Sequence, residues 1–136
     1  MRVDPKDLLS KAEEAALRSY SPYSLFPVGA ALLCGDGEVI TGTNVENRSY
    51  GLTVCAERSA ILTAVSRGKH EFAAIAVVCP ASDDPVPPCG ACRQVLSEFC
   101  RPEMPVYFAG KKGDPVTMTL GELFPRDSLH ELKKRQ

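Results

Sequence analysis

Two short cysteine-containing segments restrict the possible folds of this chain more than any other feature. The first is a Cys-Ala-Glu-Arg segment that starts at Cys55, and the second is a Pro-Cys-Gly-Ala-Cys segment that contains Cys89 and Cys92. Zinc favours thiolate ligands, and a catalytic zinc site keeps three protein ligands and leaves its fourth position open. A chain that uses these three thiols together must bring Cys55 to a pair that lies far along the sequence.

Hydrophobic periodicity predicts a succession of helices and strands. Asp4 is a typical helix N-cap before an apolar helical pattern, and Gly35-Asp36-Gly37 separates two apolar runs as in a β-hairpin. The predicted helices cover Pro5–Ser19, Cys55–Gly68, Cys89–Arg101 and a short segment after Gly121 that ends in Lys133-Lys134-Arg135; the predicted strands cover Val28–Cys34, Glu38–Thr43, Phe72–Cys79, Val106–Ala109 and Val116–Leu120. This order predicts one mixed sheet covered by helices, within a single domain over residues 1–136.

The three motif cysteines fall at the starts of the second and third predicted helices. Each of these helices follows a strand or its loop, so we expect their N-termini at one edge of the sheet, where open α/β sheets bind ligands. The partial positive charge of a helix N-terminus favours the thiolate form of a nearby cysteine. The sequence therefore predicts that Cys55, Cys89 and Cys92 form one metal site.

Charged residues beside the cysteines suggest a hydrolytic centre. Glu57 lies two residues after a ligand and can reach the open side of the metal, where it would act as general acid and base. Three thiolates on a divalent zinc leave a net charge of about −1, which weakens the acidification of bound water. Arg58 is predicted to offset this charge by hydrogen bonds to ligand sulfurs, and Arg93 is a weaker candidate for the same role.

Two other interpretations of the cysteines remain open. A noncatalytic structural zinc module would need a fourth ligand, and Cys34, Cys79 and Cys100 are available. Each of these lies in or beside an apolar segment, so we predict that it packs in the core instead. A redox-active Cys-x-x-Cys pair would leave Cys55 and Glu57 without a role.

Composition restricts the partners and the compartment. The formal net charge of −1 gives no positive surface for a nucleic acid. No apolar run approaches the roughly 20 residues that a membrane-spanning helix needs. The N-terminus carries no apolar signal segment, so we expect a cytoplasmic protein whose six cysteines are thiols or metal ligands.

Four segments together resemble the small homotetrameric zinc-dependent cytidine deaminases. They are Ser21-Pro22-Tyr23-Ser24 with Phe26 and Val28-Gly29-Ala30-Ala31, Asn44-Val45-Glu46-Asn47 with Ser49-Tyr50, and the two cysteine segments, the second continuing into Arg93-Gln94. The resemblance covers nearly the whole chain. It implies an α/β fold, a three-layer α/β/α sandwich with a five-stranded mixed sheet, and one zinc ion (Zn²⁺) per subunit. It also implies hydrolytic deamination of cytidine and deoxycytidine in pyrimidine salvage, by zinc-activated hydroxide with Glu57 as proton shuttle.

The same resemblance implies roles for residues outside the cysteine segments. Asn44 and Glu46 would bind the sugar hydroxyls, and Phe26 would pack against the nucleoside. Ala56 would contribute a backbone contact to the base. Tyr50 would lie near the junction with a neighbouring subunit, because the pockets of the family's homotetramer are completed by adjacent subunits.

The chain departs from the family pattern near its C-terminus. The family often has an aromatic residue shortly after a Leu-Leu-Pro segment, whereas here Leu123-Phe124-Pro125 is followed by Ser128 or Leu129 at that place. Ring stacking from a neighbouring subunit is then absent, or an aliphatic contact replaces it. A deaminase of another aminopyrimidine such as blasticidin S is the nearest alternative activity, although the Asn44 and Glu46 pair favours plain nucleosides.

Overall fold

The computed structural model describes residues 4–133, in which helices and strands alternate around one sheet. In chain order the elements are α1 (Pro5–Ala16), β1 (Gly29–Cys34), β2 (Val39–Thr43), α2 (Ala56–Ser66), β3 (Phe72–Val78), α3 (Gly90–Phe99), β4 (Pro105–Ala109), β5 (Val116–Thr119), α4 (Leu120–Leu123) and α5 (His130–Lys133). A short 3-10 turn at Tyr50–Leu52 precedes α2, and the sequence patterns did not predict it.

All five predicted strands are present, and the prediction of three longer helices is confirmed. Asp4 caps α1 as predicted, because its carboxylate accepts a hydrogen bond from the Lys6 amide at 3.1 Å. The predicted end of α1 at Ser19 is wrong by three residues. After Ala16 the backbone tightens, and the Ser19 amide donates to the Ala16 carbonyl three residues back, so the α-helical ladder stops.

The C-terminal part differs more from the prediction. Leu120, predicted as the end of a strand, is the first residue of α4, and the single predicted terminal helix is two short ones. Thr119 starts α4 with a capping box: its hydroxyl accepts from the Glu122 amide, and the Glu122 carboxylate accepts from the Thr119 amide. The described part of α5 ends at Lys133, and Lys134 and Arg135 lie outside the described residues.

The strands form a five-stranded mixed sheet in the order β2-β1-β3-β4-β5. Strand β3 pairs with β4 in parallel, and the other neighbouring pairs are antiparallel. Gly29 is the register partner of both Thr43 and Val78. The start of β1 and the ends of β2 and β3 therefore meet at one edge of the sheet.

Helices cover both faces of this sheet, which confirms the predicted α/β/α sandwich. On one face α1 packs through Leu8 and Ala12 against alternate residues of the central strands, such as Ala74 and Ala76. On the other face α2 and α3 pack against the residues of opposite parity, including Ile75. Within residues 4–133, no helix has both the length and the apolar composition that crossing a bilayer requires.

Two glycines allow the helices to approach the sheet closely. A Cβ atom at Gly29 would lie 1.9 Å from the Ala12 carbonyl oxygen, and one at Gly42 would lie 2.6 Å from the Ala56 carbonyl oxygen. No side chain fits at either position without moving a helix backbone. Gly42 thus fixes how deeply the first turn of α2, which follows Cys55, sits on the sheet.

Candidate active site

The structure brings the three motif cysteines together at the starts of α2 and α3. Cys55 and Cys89 occupy the N-cap positions of these helices, and neither uses its side chain as a cap. The Cys55 and Cys89 sulfurs lie 3.8 Å apart, those of Cys89 and Cys92 lie 3.4 Å apart, and all three lie within 4.8 Å of one another. Tetrahedral zinc with bonds of about 2.3 Å separates its sulfur ligands by roughly 3.8 Å. The cluster therefore fits a zinc ion.

The three other cysteines take no part in this cluster. Cys34, Cys79 and Cys100 are buried and belong to the hydrophobic core, as predicted. Among residues 4–133, the group of side chains placed to hold a metal consists of Cys55, Cys89 and Cys92. A structural site with four thiolates thus has no fourth cysteine in the described part of the chain.

The two arginines near the cluster differ in what they contact. Arg58 Nη2 lies 3.2 Å from the Cys55 sulfur, as predicted for a residue that offsets thiolate charge. The pKa of Cys55 is lowered by its contact with the Cys92 thiol and further by Arg58, so the thiolate is favoured. Arg93 donates instead to the carbonyl oxygens of Pro88 and Leu123, each at 2.7 Å. The prediction that Arg93 donates to ligand sulfurs is therefore wrong.

Glu57 lies in the first turn of α2, and its side chain is enclosed by the protein. The residue is only 4% exposed. Burial raises the pKa of its carboxyl group to about 7, because water that would stabilise the charged form is excluded. A carboxyl group with such a pKa can both accept and donate a proton near neutral pH, which is what general acid–base catalysis requires.

A cavity of about 340 Å³ opens at the sheet edge where β1 starts and β2 and β3 end. It contains residues from the metal cluster, the glutamate and most of the predicted substrate-binding residues. Its lining comprises Ser24, Phe26, Val28, Asn44, Glu46, Thr53, Cys55, Ala56, Glu57, Val77, Cys79, Val86, Pro87 and Cys89. Cys92 is fully buried behind this lining. The size and the mainly apolar walls suit a small planar ligand with a few polar groups.

Asn44 and Glu46 follow β2 and hold the loop between α1 and β1 in place. The Asn44 amide nitrogen donates to the Phe26 carbonyl at 2.8 Å, and its oxygen accepts from the Val28 amide at 2.9 Å. Glu46 Oε1 accepts from the amides of Tyr23 and Ser24, at 3.0 and 3.1 Å. These bonds set one wall of the cavity and leave one amide N–H of Asn44 and part of the Glu46 carboxylate for a ligand.

Tyr50 lies beside this cavity and not in its lining. It is 74% exposed and borders a neighbouring depression of about 380 Å³ with Tyr23, Ser24, Glu46 and Thr53. Its ring contacts the ring of Tyr23, with centroids 5.9 Å apart. Tyr50 is therefore an exposed residue next to the cavity, and it does not form part of the cavity wall.

Sequence reasoning missed two parts of the cavity. Val77 lies on β3 and Cys79 directly follows it; both belong to the same core cluster as Ile75, so continued strand alternation would have placed them beside α2 and α3. Burial raises the pKa of Cys79 to about 11, so its thiol stays protonated. The Ser24 hydroxyl, which donates to Glu46, has no periodic signal because it lies in a loop.

Three thiols around one point and a nearby glutamate that is not a ligand are the combination that zinc-dependent deaminases use. Fold and site thus define an enzyme of that class. Residues 3–108 match the sequence model described as "Cytidine and deoxycytidylate deaminase zinc-binding region". This chain belongs to the cytidine deaminase family.

Individual relatives agree with this assignment. A cytidine deaminase of Sporosarcina psychrophila is 49% identical over 123 residues, which is 90% of each chain. The crystal structure of cytidine deaminase from Burkholderia pseudomallei superposes with a TM-score of 0.86 at 46% identity, and the match covers 90% of this chain and 98% of that one. The zinc-dependent class and the fold are thus shared with proteins that match over nearly their full length.

A more distant relative bears on the choice of substrate. A protein of Bacillus cereus named blasticidin-S deaminase is 39% identical over 105 residues, covering 72% of this chain and 74% of that protein. Relatives of this chain thus carry names with different substrates. Residues of the cavity wall, and not family membership alone, must decide which aminopyrimidine is bound.

Proposed function

We propose that this enzyme hydrolyses cytidine and deoxycytidine to uridine and deoxyuridine with release of ammonia, as a step of pyrimidine salvage in the cytoplasm. The observation that carries this proposal is the position of Glu57, a buried carboxyl group in the same cavity as the cysteine cluster. A structural zinc module has no use for such a group. The ligand is a small pyrimidine nucleoside, and residues 1–136 act as one domain.

The proposed metal ligands are Cys55, Cys89 and Cys92, with one zinc ion per subunit. Zinc bound there supplies an activated water for attack on the amine-bearing ring carbon. Arg58 offsets the excess negative charge of three thiolates by its bond to the Cys55 sulfur, which reduces electron donation to the metal. The short Sγ separations and the helix N-termini favour a preformed site.

Glu57 is the proposed general acid and base. Its carboxylate takes a proton from the attacking water and delivers it to the adjacent ring nitrogen of the pyrimidine. It then helps to protonate the departing amine, which leaves as ammonia. The raised pKa of about 7 supports this role, because both protonation states are accessible near neutral pH.

The proposed substrate contacts surround the remaining cavity. Asn44 uses its second amide N–H for the sugar hydroxyls, and Glu46 uses the remaining lone pair of Oε2, which already accepts from the Ser24 hydroxyl; their other bonds hold the loop. Phe26 forms an apolar wall against the nucleoside, and the Ala56 backbone contacts the base. A site that bonds sugar hydroxyls discriminates strongly against free bases, because its polar groups would stay unpaired.

We also propose a homotetramer in which neighbouring subunits complete the pockets. Large apolar side chains are exposed in the segments that precede β1 and follow β2, and a monomer would leave them in water. They are Tyr23 at 46%, Leu25 at 76%, Val45 at 46%, Tyr50 at 74% and Leu52 at 66% exposure. Sedimentation velocity checks the assembly; a stable, fully active monomer would contradict this part of the proposal.

The experiment that tests the proposed reaction replaces Glu57 by glutamine. The variant Glu57→Gln keeps the size of the side chain but removes proton transfer, so we expect the fold and one zinc per subunit to be retained. Turnover of cytidine, followed by loss of absorbance, should fall by about 10²- to 10⁴-fold. The exposed Glu98 on α3 provides the matched control, and Glu98→Gln should have normal activity.

Three results would contradict the proposal. Near-normal activity of Glu57→Gln would exclude Glu57 as the proton shuttle. In a panel of cytidine, deoxycytidine, cytosine and blasticidin S, selective turnover of blasticidin S would overturn the substrate assignment. Bound zinc without turnover of any of the four would instead favour the noncatalytic module.

A further inference from the structure

Arg93 donates hydrogen bonds to two carbonyl groups from separate parts of the chain. Its Nε lies 2.7 Å from the Pro88 oxygen, and its Nη1 lies 2.7 Å from the Leu123 oxygen. A guanidinium group is planar and presents its N–H donors in fixed directions, so two short bonds define its position closely. A lysine ammonium is a single point charge and does not reproduce this fork.

The bond to Pro88 holds the peptide group directly before Cys89. The Pro88 side chain is fully buried, and its carbonyl belongs to the planar peptide unit that carries the Cys89 nitrogen. The backbone N–H of Arg93 also donates to the Cys89 carbonyl oxygen, at 2.9 Å. Both carbonyl groups that flank the Cys89 Cα therefore bond to Arg93, which fixes the backbone from which this thiol projects.

Cys89 depends on its backbone more than the other two cysteines do. Cys92 is fully buried inside the first turn of α3, and Cys55 receives a hydrogen bond from Arg58. The Cys89 thiol belongs to an exposed residue, and its bonds in the described part of the chain are with the two other sulfurs. Its direction before a metal binds is thus set mainly by the main chain.

The bond to Leu123 anchors the guanidinium to an element outside the metal site. Leu123 ends α4, and its side chain is buried in the core. The last carbonyl groups of a helix have no partner within that helix, so this oxygen is free to accept from Arg93. Leu123 and Asp127 belong to the C-terminal segment, which here means the residues from Leu120 onward. This segment is bonded to α3 at a second point, where the Ser97 hydroxyl donates to the Asp127 carboxylate at 2.8 Å.

We propose that Arg93 is a positioning residue for the metal centre. Through the Pro88–Cys89 peptide it holds the Cys89 thiol at the point where the three sulfurs converge, and Leu123 serves as the anchor of its guanidinium. The inference rests on the proposed function, in which Cys55, Cys89 and Cys92 bind zinc. It assigns the C-terminal segment a part in metal binding, although that segment contributes no ligand.

The test compares three variants of the full chain with the wild type. Zinc affinity is measured by competition with a chromophoric chelator, and the ligand geometry by the absorption spectrum of the cobalt(II)-substituted protein. Arg93→Ala should bind zinc roughly 10- to 100-fold more weakly and should alter the cobalt spectrum. Arg93→Lys keeps the charge but loses the fork, so it should show both changes too, and it remains informative if the alanine variant does not fold.

Ser97→Ala is the matched control, because it loosens the same C-terminal segment without touching the fork. It should lower the midpoint of unfolding but keep the wild-type zinc affinity and cobalt spectrum.

If the Arg93 variants lose stability alone, Arg93 is a structural cross-link and the proposal is wrong. An equal loss of zinc affinity in Ser97→Ala would also contradict it. Failure of the wild-type protein to bind zinc would overturn the proposed function itself, before any variant is compared.

Discussion

Replacing Gly42 by alanine tests whether the depth of α2 on the sheet sets the catalytic geometry. Gly42 lies on β2, and a Cβ atom there would lie 2.5 Å from the Ala60 nitrogen and 2.6 Å from the Ala56 carbonyl oxygen. Both atoms belong to the backbone of α2, so neither can swing away as a side chain could. The added methyl group must push the helix outward.

The displacement can be worked out from these distances. Ordinary contact at such a position begins at 3.4 Å, so relief of the 2.5 Å contact requires a shift of 3.4 − 2.5 = 0.9 Å. Overpacking of this kind typically destabilises a protein by about 1–3 kcal/mol. Glu57 and the Ala56 backbone move with α2, and a misplacement of about 1 Å can lower the rate by about 10²-fold.

The assay is kcat/KM for cytidine, corrected for the folded and zinc-loaded fraction, together with the free energy of unfolding in urea. Gly42→Ala should lower both quantities.

Gly29→Ala provides a matched control on the opposite face, where the new Cβ would lie 1.9 Å from the Ala12 carbonyl oxygen of α1. It should lower stability at least as much, but the folded fraction should keep a much larger share of its activity. Wild-type kcat/KM in folded Gly42→Ala would refute the reasoning.

Three further predictions concern single interactions. Asn44→Ala leaves the Val28 amide and the Phe26 carbonyl without their partner, so unfolding experiments should show a loss of about 1–3 kcal/mol, and steady-state kinetics should show a raised KM for cytidine. Cys55→Ala should lose zinc and activity together, as measured by metal analysis and turnover; full zinc occupancy in this variant would contradict the assigned ligand set. Thr119→Ala removes the capping box of α4 and should lower stability by about 1 kcal/mol in urea unfolding, with unchanged kcat.

Periodic patterns predicted most of the fold because they reflect burial directly. The apolar run Phe72–Cys79 predicted a strand, and β3 is indeed packed on both faces, with Ala74 and Ala76 against α1 and Ile75 and Val77 against α2 and α3. The cysteine spacing likewise predicted that two helix N-termini must meet, and they do so with sulfurs 3.8 Å apart. Both predictions depend on the residue type alone, because apolar side chains must be buried and the three motif cysteines must come together to bind one metal ion.

Features set by loop geometry could not be predicted in the same way. Leu25 has a positive φ of 56° between Ser24 and Phe26, a conformation that a leucine rarely adopts and that its sequence context does not indicate. The bonds from Tyr23 and Ser24 to Glu46 join residues more than 20 positions apart without a periodic signal. The resemblance pointed to Asn44 and Glu46, but the bonds by which Glu46 holds the loop at Tyr23 and Ser24 became visible only in the structure.

The two arginines beside the cysteines show how the same residue type separates into different roles. The sequence predicted Arg58 as the donor to the sulfurs, with Arg93 as a weaker candidate, since each lies within one turn of a ligand. Arg58 does reach a sulfur, whereas two donors of Arg93 are engaged by carbonyl oxygens. A carbonyl oxygen is a stronger acceptor than a weakly accepting sulfur, so a guanidinium within reach of two such oxygens bonds to them. Arg93 is therefore not placed to take over the charge compensation proposed for Arg58. Loss of Arg58 should act on the chemistry at the metal, and loss of Arg93 on the affinity for the metal.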